Sequence, residues 1–287
     1  MPQKNEIKLI ALDLDGTLLN SQKELTARNA AALTRAAAAG IEIVPCTGRF
    51  FGGMPEAVRE LPFLHYAITV NGAQVYDIRR DRAIARTEIP LKLVLRIMEY
   101  LDTVPVAYDC FRENWGWMSR KFWDNIERYT TDPHYHSMVR SLRTPVPELK
   151  AWLREECENS PATAHGAVQK IQLFTTDFAL RDRLLLELPG QFPETAVTSS
   201  FNNNIEINLA SAHKGAVLLQ LADYLKIGRE QTAAFGDGSN DVTLLRLAGL
   251  GVAMANACPA ALAAADVVTT SCDEDGVARV LEKLLPS

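Results

Sequence analysis

The sequence lacks an excess of positive charge, an apolar run long enough to cross a bilayer, and any Cys-x-x-Cys pair. Its 30 Lys and Arg against 35 Asp and Glu leave a net charge of -5. That balance argues against nucleic acid as a main partner, because a phosphate backbone demands a basic footprint. Without a stretch of about 20 apolar residues, no membrane partner is expected. The cysteines (Cys46, Cys110, Cys157, Cys258, Cys272) are odd in number and scattered. They fit free thiols in a reducing compartment better than a disulfide frame or a zinc site. Residues Met1 to Glu6 lead straight into a strand-like run with no signal-peptide anatomy, so a cytoplasmic protein is expected.

What is present is ordinary in bulk and unusual in one place. A chain of 287 residues, 47% hydrophobic and 23% charged, is comfortable as two soluble domains. The unusual place is Asp13-Leu14-Asp15-Gly16-Thr17, directly after the apolar run Leu9-Ile10-Ala11-Leu12. That run is not alternating, which predicts a strand buried on both faces of a parallel sheet. Two carboxylates one residue apart at its end would crowd each other, and desolvating either costs several kcal/mol. A hard divalent cation with oxygen ligands suits such a pair. An Asx-type turn, with Gly16 supplying the backbone angle, is the plainer alternative.

Both ends of the chain share one grammar. Thr26 reads as the N-cap of an Ala-rich helix running to Ala39 and stopped by Gly40, and a short helix covers about 55–61. Strands are predicted at 41–45 and 66–70, then at 232–235, 251–254 and 266–269. Helices are expected over 214–226, through Leu247, over 259–264, and from an Asp275 cap to Leu285. Alternation of this kind predicts a doubly wound parallel sheet. The middle differs: every Trp (Trp115, Trp117, Trp123, Trp152) lies there, amid helical runs at 91–101, 148–157 and 178–188 and alternating strands such as 168–174. The α/β core is therefore expected to comprise residues 1–82 and 198–287, with an α+β domain inserted at 83–197.

Ligands of an open parallel sheet bind outside the carboxyl ends of its strands. Asp13 and Asp15, Thr47 and Gly48, and Asp237, Asn240 and Asp241 all follow predicted strands, and Lys214 opens a helix that could reach them. Chemically the set suits phosphoryl transfer. One carboxylate can attack phosphorus, and the other can move the proton. Magnesium would screen the repulsion between carboxylate and phosphate, while a hydroxyl, a backbone N–H and a lysine hold the phosphate oxygens.

In order, Asp13-x-Asp15-Gly-Thr, Thr47-Gly48-Arg49, Lys214-Gly215 and Gly236-Asp237-x-x-Asn240-Asp241 resemble the four motifs of the haloacid-dehalogenase superfamily of phosphatases. The insertion between the second and third motifs resembles the branch with a large α/β cap, subclass IIB. Asn71-Gly72-Ala73, 251–257 and 273–278 look like its Cof-type sugar-phosphatase group. The resemblance implies Asp13 as nucleophile and Asp15 as general acid and base, with Mg2+ held by the Asp13 carboxylate, the Asp15 carbonyl and Asp237. It implies Asp241 supporting that site from behind, and Thr47, Gly48, Lys214 and Asn240 binding phosphate. The expected activity is hydrolysis of a small phosphorylated metabolite, a sugar phosphate in particular, under a cap that closes over substrate and chooses the leaving group. A phosphosugar mutase of the same branch and a non-catalytic phospho-ligand sensor are the alternatives. The oligomeric state stays open.

Several side chains keep two readings. Arg49 either reads substrate or pairs with the cap, and Asn71 is a candidate substrate contact. His213, where the family often has a small residue, either tunes Lys214 or touches substrate, or faces solvent from a loop, which is the expectation. Asp132, His134 and His136 suggest a metal cluster, but no further ligand is spaced to join them, so an exposed loop is expected. Trp115, Trp117, Phe122 and Trp123 either line a sugar-binding face or form domain core or a dimer contact. Asn202-Asn203-Asn204 reads as a turn before a strand at 205–207.

Overall fold

A computed structural model describes residues 7–159, 166–199 and 203–285, apart from the side chain of His134. The segment Met1 to Glu6, Asn202 of the expected turn and the His134 side chain of the suggested cluster lie outside the described residues. The chain divides into two compact units, Met1–Ala85 with His213–Ser287, and Arg86–Ala212. Strands are numbered along the chain. In the first unit β1 (Leu9–Leu12) is followed by the helix Ala27–Ala38, β2 (Glu42–Pro45) and a short helix Glu56–Arg59. Thr26 caps the first helix, its hydroxyl accepting from the Asn29 N–H at 3.2 Å. The next strand, β3 (Tyr66–Thr69), is not part of the five-stranded ladder. Its ladder is antiparallel, to β4 (Gln74–Asp77), in a three-stranded sheet with β5 (Arg82–Arg86); it still lies beside β2, joined just past it by the parallel Cys46–Ile68 bridge and the Thr47 N–H to the Ile68 carbonyl at 2.9 Å.

The second unit is a six-stranded sheet ordered β10-β11-β9-β6-β7-β8. Its members are β6 (Ala107–Arg112), β7 (Trp115–Ser119), β8 (Arg143–Val146), β9 (Lys170–Phe174), β10 (Thr195–Thr198) and β11 (Asn204–Leu209). All neighbours run antiparallel except β7 and β8. Because β11 pairs with β9, and β10 with β11, the return crossing falls at Ala212, later than the expected residue 197. Tyr108, Cys110, Ile171, Leu173, Ile205 and Ile207 alternate onto one face and are buried with the helices Leu91–Leu101, Leu149–Asn159 and Phe178–Gln191. The tryptophans Trp117, Trp123 and Trp152 pack against this core, and Trp117 stacks on Trp152 at 4.3 Å. Phe122 is buried in it. Trp115 donates its indole N–H to Thr144.

The chain then returns to the first unit through the helix Lys214–Tyr224 and adds β12 (Thr232–Gly236), β13 (Leu250–Ala253) and β14 (Val267–Val268). The resulting sheet is parallel throughout, in the order β14-β13-β12-β1-β2. Ile10 and Leu12 enter one core with Leu33, Ala36, Val277 and Leu281, while Leu9 and Ala11 enter the other with Val217, Leu218 and Leu221. This double cover is why β1 is apolar without alternation. Each fully buried Leu or Ile there contributes about 1.5–3 kcal/mol. Asp275 is the N-cap residue of the last helix, Gly276–Leu284, its carbonyl accepting from the Arg279 N–H at 3.1 Å, while its carboxylate accepts the Thr26 hydroxyl at 2.6 Å instead of a helix N–H.

Candidate active site

The chain runs from β1 to β2 on one side and returns to β12 on the other, so the order reverses at β1. Crevices beyond the carboxyl ends of strands at such a point are where these sheets bind ligands. Asp13 follows β1 directly, and its N–H donates to the Phe235 carbonyl of β12 at 3.0 Å. Asp237 follows β12. The two strand ends are drawn together by Gly16, at φ +87°, where a Cβ would stand 2.4 Å from Asp237 Oδ2. Only glycine suits both that angle and that closeness. Thr17 Oγ1 donates to Asp237 Oδ1 at 2.9 Å, fixing the carboxylate from the β1 side.

At the centre Lys214 Nζ, fully buried, lies 2.6 Å from Asp13 Oδ1 and 2.6 Å from Asp241 Oδ1. Asp241 is spent on structure: its other oxygen accepts the N–H groups of Asp237 at 3.0 Å and Gly238 at 2.9 Å. Oxygens of Asp13, Asp237 and Asp241 come within 4.8 Å of one another. Burial and then the Asp241 charge push the Asp13 carboxyl well up, although Lys214 opposes them. Burial and Asp241 likewise raise Asp237 to about 6. Burial lowers the Lys214 ammonium, but Asp13 and Asp241 overcome it and hold Lys214 well above its ordinary value. One lysine thus serves a cluster that is richer in carboxylate than it can balance. The oxygen-only donors and surplus negative charge fit a hard divalent cation.

Asp15 turns elsewhere. Arg49 grips it with a two-pronged fork, Nε to Oδ2 at 2.8 Å and Nη2 to Oδ1 at 2.9 Å, and Lys23 Nζ stands 3.1 Å from Oδ1. Burial raises this carboxyl, yet the Arg49 bonds and charge, with Lys23, bring it down to about 2. Thr47 is buried beyond β2, its N–H bonded to the Ile68 carbonyl and its hydroxyl accepting from Arg49 N at 3.2 Å. Gly48 lies between them in the chain. The Arg49 guanidinium thus pairs with Asp15 and with the Gly53 carbonyl, inside its own unit.

Asn240 and Asn71 meet each other, Asn240 Nδ2 donating to Asn71 Oδ1 at 3.1 Å. Asn71 sits in a left-handed run, with Val70 at φ 53°, Asn71 at 60° and Gly72 at 94°. For a β-branched residue such an angle is a real strain, about 1–3 kcal/mol. Gly72 needs its bare α-carbon, since a Cβ would come within 2.6 Å of the His213 carbonyl carbon, at the start of the Lys214 helix. His213 is not a free loop residue. It is the N-cap of that helix, Nδ1 accepting from the Ala216 N–H at 3.1 Å, and it is half-buried.

Sequence reasoning missed Thr17, Lys23 and Asn256. Thr17 lies inside the first motif and Asn256 inside a recognised stretch, so their positions were visible but not their tasks. Asn256 Nδ2 donates to the Gly16 carbonyl at 2.8 Å and Oδ1 accepts from Cys272 N at 2.9 Å, tying the β13 loop to the first motif. Lys23 carried no signal; it reaches Asp15 from a turn where its own φ is 64°. In the second unit His136 Nε2 bonds to the Thr130 carbonyl at 2.6 Å. Among the described residues the grouping that could hold a metal is Asp13, Asp237 and Asp241.

These features coincide with one enzyme class. The sequence pattern of haloacid dehalogenase-like hydrolases matches residues 10–281, and the chain belongs to that family. It is 32% identical over 288 residues to phosphatase YwpJ of Bacillus subtilis, covering 97% of this chain and 100% of the relative. It is 29% identical over 276 residues to the B. subtilis 5-amino-6-(5-phospho-D-ribitylamino)uracil phosphatase YcsE, covering 96% and 95%. A haloacid dehalogenase-like hydrolase structure from B. subtilis superposes with a TM-score of 0.79 at 28% identity, covering 97% of this chain and all of that one. The chain is accordingly a haloacid dehalogenase-like hydrolase of the α/β class, with a parallel core sheet and additional sheets and helices, and its relatives are named phosphatases.

Proposed function

We propose that this protein is a magnesium-dependent phosphatase of a small phosphorylated metabolite, a sugar phosphate in particular. The observation that carries the reading is Lys214, buried between Asp13 and Asp241 with Asp237 in the same cluster, at adjacent strand ends. The ribityl phosphate in the name of the relative YcsE, a phosphate ester on a sugar-like carbon chain, supports the substrate class. The inserted unit, residues 86–212, is the specificity domain in this reading.

Asp13 attacks phosphorus, forming an O–P bond as the bond to the leaving oxygen breaks. Asp15 delivers a proton to that oxygen. In the second step Asp15 takes a proton from water, the water oxygen bonds to phosphorus, and the Asp13–phosphorus bond breaks to release inorganic phosphate. Thr47 Oγ1, the Gly48 N–H, Lys214 Nζ and Asn240 hold the phosphoryl oxygens. Asp13, the Asp15 carbonyl and Asp237 would hold Mg2+, which supplies charge neutralisation when bound. Asp241 keeps Lys214 and the Asp237 loop in place.

Asp13→Asn should leave the fold intact and reduce phosphate release from a panel of sugar phosphates by at least about 10³-fold. Retained turnover would remove Asp13 as nucleophile. Product analysis completes the test: inorganic phosphate is expected, and an isomerised sugar phosphate without it would mean a mutase.

A further inference from the structure

We propose that Arg49 is a positioning residue that fixes the Asp15 carboxylate for proton transfer, rather than a reader of substrate. The inference rests on the phosphatase reading and assigns Arg49 a task within it.

The guanidinium is committed through all three of its nitrogens. Two parallel N–H bonds go to Asp15, and Nη1 donates to the Gly53 carbonyl at 3.1 Å. Its main chain is equally tied, Arg49 N donating to Thr47 Oγ1 and the Arg49 carbonyl accepting from Val70 N at 3.0 Å. The anchor thus extends from the strand end carrying Thr47 and from the strained turn that presents Asn71. A planar fork specifies orientation in a way a single ammonium does not. Without it, the Asp15 side chain would be free to sample its staggered rotamers.

The pattern also distinguishes the two oxygens. A carboxylate offers about four lone-pair sites. Oδ1 accepts from Arg49 Nη2 and lies beside Lys23 Nζ, so both of its sites are taken. Oδ2 accepts from Arg49 Nε alone, which leaves one site. That remaining site on Oδ2 is where the transferred proton is carried, towards the leaving oxygen in the first step and away from water in the second. Arg49 holds Oδ2 in place without filling it, and Lys23 closes the other oxygen.

The test uses the full chain with saturating magnesium and a series of phosphate monoesters running from p-nitrophenyl phosphate through phenyl phosphate to glycerol 3-phosphate. An acidic leaving group needs no proton, so kcat/KM for p-nitrophenyl phosphate should fall less than about 3-fold in Arg49→Ala. For the alkyl ester it should fall about 100-fold, and competitive inhibition by inorganic phosphate should stay within about 2-fold of wild type. Arg49→Lys, which keeps the charge but not the fork, should fall between and carries the same comparison if the alanine variant is unfolded. In an Asp15→Ala background Arg49→Ala should cost nothing further. A loss equal across all esters with weakened phosphate inhibition would make Arg49 a phosphoryl ligand and overturn the proposal. So would a leaving-group dependence identical to wild type. Wild-type protein that hydrolyses none of the esters would instead overturn the phosphatase reading itself.

Discussion

The two sheets of this protein solve opposite problems. The five-stranded sheet of the first unit is apolar on both faces, and its polar side chains collect beyond the strand ends. The six-stranded sheet of the second unit is apolar on one face only. Along the other, Asp109, Phe111, Lys170, Gln172, Asn204, Glu206 and Asn208 alternate with the core residues, and all are buried. Arg143 pairs there with Asp109 at 2.6 Å and Lys170 with Glu206 at 3.1 Å, while Arg143 and Lys170 flank the Phe111 ring at 4.6 and 4.5 Å. The first sheet is a platform whose chemistry is confined to loops; the second carries charge within its own strands. Burial makes these ion pairs costly to break, since a charge left alone pays its desolvation without return.

Truncations should separate the two sheets, because every Trp reports on the second unit. Arg143→Ala should destabilise that unit by about 4 kcal/mol in urea unfolding followed by Trp fluorescence, by stranding Asp109. Replacing both partners, Asp109→Asn with Arg143→Met, should recover most of the loss. If the double variant is as unstable as the single one, the pair is not what makes this face expensive. Leu12→Ala should cost about 3 kcal/mol through the cavity it opens in the first unit, seen in far-ultraviolet circular dichroism with the Trp transition unmoved. A joint shift of both signals would show that the units unfold as one. Thr26→Ala should remove about 1 kcal/mol by deleting the cap of the helix Ala27–Ala38.

The last effect is a slope, not a step. Asp237 is held at about 6 against an ordinary 3.8, so the native state binds its proton more tightly than the unfolded chain does. Metal-free protein should therefore lose stability as pH rises from about 4 to about 6, where the native state holds more protons. Asp237→Asn should flatten part of that fall, and magnesium at pH 7 should raise Tm in wild type but not in the variant. An unchanged slope in Asp237→Asn would place the surplus charge elsewhere in the cluster.

Much of the site was legible because its signals are local. Asp13, Asp237 and Lys214 each sit where a strand or helix begins or ends, and the apolar run before Asp13 announced its own burial. The helix Leu91–Leu101 was readable to the residue from its periodicity. Pairing was less so. The third strand lies beside β2 as its order in the chain suggests, but its full ladder is to β4, because local β-propensity does not say which edge a strand will pair with. The end of the inserted unit is less legible because β10 and β11 read as ordinary strands, and only their register with β9 assigns them to it.

Residue types and spacing by themselves determined the class of chemistry, since carboxylates, a lysine and glycine turns at strand ends have few other uses. Only the tertiary structure decided the partners. It gave Arg49 to Asp15, made His213 a helix cap, sent Asp275 to Thr26, joined Asn71 to Asn240 and drew Lys23 in from a distant turn. The reason is geometric: a motif records which groups a chain can present, whereas hydrogen bonds a few ångströms long depend on backbone directions that only the packed sheet and its loops supply.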